Sequence, residues 1–200
     1  MQTPNADKGN SLATAVASAV ERYRRGGEIG RLLADLSTAS SGAGADDIIA
    51  AAERYRDLPE VIGPLYERVV ELRPSDARAL VTLASAYWMA GRGPDVVADL
   101  ASRALSADPS ERGAWHLWAL AEPDVRGRVA RWRQVAERFP GDELARVNLA
   151  DNAASLAGAE GDAEALALAI QTYESLVPTA GPEQRPALES AIATLRSWRL

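Results

Sequence analysis

Apolar residues recur along this chain at the three- and four-residue spacing of amphipathic helices, not at the alternation of strands. Leu12, Val16, Ala19, Val20 and Tyr23 form the first stripe, with Asn10 or Ser11 placed to cap it. It predicts a helix from about Ser11 to Arg25, stopped by Gly26-Gly27. Ile29, Leu32, Leu33 and Leu36 form an i, i+3, i+4, i+7 set and predict a second, short helix. Residues 1–9 are polar and read as a disordered tail, and 10–36 as an N-terminal helical hairpin. Residues 37–45 carry no bulky side chain to bury and read as a flexible linker. Asp46 is placed to cap a third helix running through Arg56, and Pro59 suits the first turn of a fourth.

Beyond this point the pattern is periodic. Pro74, Pro109, Pro140 and Pro178 each follow an amphipathic segment, at separations of 35, 31 and 38 residues. A helix-breaking residue returning at one phase and this interval marks a helical repeat array. Ser75-Asp76, Ser110-Glu111 and Gly141-Asp142 follow three of the prolines and are suited to start the next helix, with an acid at its positive end. The 40 alanines of 200 residues strengthen the helical reading.

The repeat resembles the tetratricopeptide (TPR) family, whose unit is a helix–turn–helix of about 34 residues. The places twelve, eight and five before each proline hold Ile62, Tyr66 and Val69; Val97, Ala101 and Ala104; Arg128, Trp132 and Val135; and Leu166, Ile170 and Tyr173. The first helices carry Leu80, Leu83 and Ala84; Trp115, Trp118 and Ala119; and Arg146, Leu149 and Ala150 at the matching places, with Tyr87 at the family's tyrosine position. Arg128 departs by occupying a normally small place. Glu122-Pro123 shortens one first helix, and an insertion around Gly158–Asp162 is expected to lengthen a turn. The resemblance implies an all-α, right-handed α-solenoid with TPR-like repeats over residues 46–178 and a capping helix over 179–200, where Leu188, Ile192 and Leu195 share a stripe.

Composition narrows the chemistry. There is no cysteine, so disulfides, thiolate nucleophiles and cysteine-ligated metals are excluded. One histidine, His116, cannot build a multi-histidine metal site, and no metal or cofactor is expected. The net charge of −6 argues against nucleic-acid binding. No window has the length of a membrane span, and the stretch ending Ala17-Ser18-Ala19 reads better as helix than as an export signal, so a cytoplasmic location is expected. No phosphate loop, nucleophile elbow or H-E-x-x-H is present. Asp46 and Asp47 are neighbours and so point apart on a helix. Arg126, Arg128, Arg131 and Arg133, interspersed with acids, read as a solvated face. Trp115, Trp118 and Trp132 fall at core phases.

The expected function is therefore non-catalytic recognition of a protein or peptide partner. The resemblance implies a concave groove lined by the first helix of each repeat. On this sequence that phase selects Arg78, Val81, Thr82, Ser85, Trp88 and Met89, then His116, Leu117 and Leu120, then Leu144, Val147, Asn148 and Asp151. Trp88, Met89, Leu117 and Leu120 are the expected apolar anchors, with Arg78, His116, Asn148 and Asp151 giving specificity. Trp88 and Met89 are equally consistent with burial against the N-terminal hairpin. A groove histidine would make binding depend on pH near its ordinary value of about 6.5. The alternative function is structural: a self-associating subunit, or a regulatory domain for a separately encoded enzyme.

Overall fold

The computed structural model describes residues 4–199. Every regular element among them is helical, as the periodicity predicts. Two compact units divide the chain at Leu117/Trp118. The first holds α1 (Pro4–Arg24), α2 (Ile29–Ser40), α3 (Ala45–Ala52), α4 (Pro59–Leu72), α5 (Ala77–Met89) and α6 (Pro94–Ala107). Within it α1 packs on α2 and α3, α4 on α2 and α3, and α5 on α4 and α6. The short α7 (Arg112–Leu120) begins in this unit and ends in the second. The second unit continues with α8 (Val125–Arg138), α9 (Glu143–Glu160), α10 (Ala163–Leu176) and α11 (Arg185–Arg196), each packed on the next.

The proline punctuation is regular. α4, α6, α8 and α10 each end two residues before Pro74, Pro109, Pro140 or Pro178. A proline forces the preceding residue out of the helical region, and Arg73, Asp108 and Phe139 accordingly leave it, at φ −137°, −143° and −124°. The fourth departs: Val177 stays helical and a 3-10 turn runs through Pro178. Asp76 and Asp142 then accept from the Ala79 and Ala145 amides at 3.1 Å, as expected of N-caps.

The repeat phases pack as the resemblance implies. Of the twelve places before the prolines, all are buried except Arg128, Leu166 and Ile170. Ala84, Ala119 and Ala150 are fully enclosed, where alanine lets helices approach. Trp132 is buried, but Trp115 and Trp118 are only half-buried, since indoles are rarely enclosed completely.

Several local expectations change. α1 is helical from Pro4, so part of the predicted tail is helix; residues 1–3 lie outside the described chain. The first four residues of the predicted linker 37–45 belong to α2, whose last residue, Ser40, is buried and donates its hydroxyl to Leu36 O. That bond inside the helix satisfies the serine's polar group, and only residues 41–44 separate α2 from α3. Asp46 does not cap α3, which starts at Ala45 behind Gly44; its carboxylate instead pairs with Arg73 at 2.5 Å. The insertion at Gly158–Asp162 lengthens α9, not the turn, which is only Gly161-Asp162. Gly161 takes φ +65°, a conformation that favours glycine and ends the helix. Gly158 lies within the helix, and a Cβ there would stand 3.3 Å from the Trp198 ring.

Candidate binding surface

In the first unit the predicted groove residues of α5 share one side of the helix. The opposite side buries Leu80, Leu83, Ala84 and Ala86. Arg78 is exposed, Val81, Thr82 and Ser85 are half-buried, and Trp88 and Met89 are 40% and 52% exposed. The last two residues are therefore outward-facing, not buried on the N-terminal hairpin. α5 ends directly after them: Gly91 adopts φ +69° and the Arg92 amide reaches Tyr87 O at 2.9 Å.

The polar residues of this row are locally engaged. Thr82 donates to Arg78 O at 2.9 Å, and the Arg78 guanidinium lies 3.9 Å from Glu111. That exposed ion pair holds Arg78 weakly and leaves it free to reorient. Val81 abuts α7: a Cβ at Gly113 would stand 2.8 Å from Val81 Cγ1, so glycine is what permits this approach.

On α7, His116 is half-buried and Leu117 is buried, at 7% exposure. Leu117 is therefore a core residue and not an anchor. The nine-residue α7 turns Ala114 and Leu117 inward, while Trp115 anchors its indole N–H on Pro109 O at 2.9 Å.

In the second unit Leu120 is half-buried, Leu144 is 58% exposed, and Val147 and Asn148 are half-buried. Asn148 donates its amide to Leu144 O at 2.8 Å. Asp151 accepts the Tyr173 hydroxyl. Burial first, and then this carboxylate, raise the Tyr173 pKa. Both predicted specificity residues thus already have partners within their own unit, and each retains acceptor capacity.

The arginines of α8 do not form a simple solvated face. Arg128 donates to Glu122 O and Pro123 O at 2.8 Å and to Asn152 at 3.0 Å. Arg131 donates to Trp118 O at 2.6 Å, pairs with Glu122 at 2.5 Å and lies 4.6 Å from the Trp118 ring centre. Two arginines therefore satisfy carbonyls at the end of shortened α7. Arg128 stands where repeats usually hold a small residue because that truncation leaves carbonyls for it to bind.

One feature was not anticipated. A cavity of about 670 Å³ lies in the first unit among α2, α4 and the end of α5. Ile29 and Leu33 on its wall are 47% and 41% exposed, whereas Leu32 and Leu36 are buried. The α2 stripe is wider than the face it buries, and that excess width was the available signal. Tyr87 donates to Glu67 at 2.5 Å beneath the Arg92 guanidinium, 4.5 Å from the ring centre. Burial, then the Glu67 bond, push the Tyr87 hydroxyl up to about 12. Among the described residues no group of three or more His, Asp or Glu side chains is placed to hold a metal ion. No helix among them is long and apolar enough to cross a membrane.

This is a TPR-like fold, an all-α array of helix–turn–helix repeats. No family model matches the chain, and no curated protein matches it. Solved structures do. A crystal structure of MamA protein matches at TM-score 0.58 and 15% identity, over 86% of this chain and 96% of that one. A second MamA structure matches at 0.57 and 16%, over 78% and 92%. The MamA RS-1 ArsTM double mutant matches at 0.53 and 14%, over 82% and 96%. Likeness at this identity concerns the fold alone.

Proposed function

We propose that the chain is a non-catalytic protein-interaction module whose α5 row receives an apolar helix or extended peptide from a partner. The observation that carries this reading is the exposure of Trp88 and Met89, two large apolar side chains side by side on a repeat helix. Tryptophan is enriched among residues that dominate interface energy, and methionine adapts to irregular partners. Arg78 supplies a weakly held charge at the other end of the same row. His116 remains a proposed contributor in the same unit, and Leu117 is not one; Leu120, Asn148 and Asp151 remain proposed contacts of the second unit, taken by itself.

Affinity purification with mass spectrometry tests this, comparing the wild type with the Trp88→Ala/Met89→Ala variant. The reading expects a protein recovered by the wild type and lost by the variant, with the helical circular dichroism unchanged. Identical recoveries would refute it. Light scattering separates the other occupant: an oligomer that dissociates in the same variant would place a second copy on this row.

A further inference from the structure

A second site lies in the other unit. Between α9, α10 and α11 is a cavity of about 330 Å³, at the small end of ligand-binding pockets. Its walls are Val147, Leu176 and Leu188, over Tyr173, whose hydroxyl is already spent on Asp151. The cavity exists because α11 presents Ala187 and Ala191 here. Elsewhere on α9 and α10 alanines such as Ala153 and Ala169 are fully enclosed, with no exposed surface. Here two alanines face larger side chains and leave space. Glu143 is the only charged group among the described lining residues and pairs with no cation there. It stands in the first turn of α9. Leu144, beside it in the chain, extends the apolar rim.

We propose that this pocket receives one bulky apolar side chain of a partner polypeptide, carried next to a lysine or arginine that pairs with Glu143. The volume admits a single large side chain, the lining, apolar apart from Glu143, Gln184 and the Tyr173 hydroxyl, disfavours a polar one, and the lone carboxylate selects a positive neighbour. This site is independent of the α5 row.

Selection of a phage-displayed random dodecapeptide library on the full chain tests the proposal. The expected result is enrichment of an aromatic or leucine residue beside Lys or Arg. Ala191→Leu, which fills the cavity, should weaken those peptides about thirtyfold. Glu143→Arg, which leaves the cavity empty, should weaken them about tenfold and favour acidic neighbours. Trp88→Ala should leave them bound. Circular dichroism of both pocket variants confirms that they are folded. Several results would overturn the proposal: no enriched motif, an enriched motif without a basic residue, or binding insensitive to both variants. Self-association abolished by Ala191→Leu would also overturn it, by making a second copy the occupant.

Discussion

At single residues the fold is decided by small volumes and by where protons sit. Gly113 shows the first. Adding one methyl group there meets Val81 Cγ1 at 2.8 Å. Gly113→Ala should therefore lower stability by about 1–3 kcal/mol, the usual cost of overpacking. Adding Val81→Ala should restore part of that loss, which thermal unfolding of the single and double variants will measure. Tyr87 shows the second. Its folded pKa, about 12, lies above the ordinary 10.0 because burial and Glu67 disfavour the phenolate. Its contribution to stability is therefore complete below pH 10 and is lost as the pH rises from 10 to 12. Across that window the wild type should lose more stability than Tyr87→Phe. Parallel losses in the two proteins would show that the Tyr87 hydroxyl titrates normally.

Helices behave according to what their ends are given. α9 begins on Asp142, so Asp142→Ala should cost about 0.5–2 kcal/mol of stability, read from chemical denaturation. α7 ends on side chains instead: Arg128 and Arg131 supply donors to carbonyls at and just beyond its last turn. Arg131→Ala should cost about 1–3 kcal/mol, because it removes the guanidinium bond to the Trp118 carbonyl and the ion pair with Glu122, and Arg131→Lys should recover only part. Helix ends were also where the sequence was most and least legible. Proline positions and the Asp76 and Asp142 caps follow from local chemistry, so both were readable. The end of α2 was not, because Ser37–Ser40 lacks bulky residues yet continues the helix through hydroxyl bonds to its own backbone. Asp46 was misread for a related reason: a non-local arginine, Arg73, took the carboxylate that local rules assign to a cap. The 38-residue interval was seen, but alanine and glutamate on either side of Gly158 turned the added residues into helix.

For the whole molecule, the repeat class was legible because four prolines and their preceding small and aromatic residues keep one phase. The candidate surface was legible only in part. Repeat phase left Trp88 and Met89 open between groove and core, and both are exposed on α5. It misplaced Leu117, since a helix of nine residues flanked by bulky indoles turns its leucine inward. Phase alone gave no sign of the cavities beside α2 and α11, which depend on the volume that side chains of several helices leave between them. The central claim is that the α5 row binds a partner while contributing little to the core. Titration calorimetry on the protein recovered by affinity purification tests it most directly, with wild type and Trp88→Ala/Met89→Ala compared at matched helical circular dichroism and melting temperature. The account predicts affinity weaker by about thirtyfold or more in the variant, the size of a hot-spot loss. Unchanged affinity, or collapse of the helical signal in the variant, would contradict it.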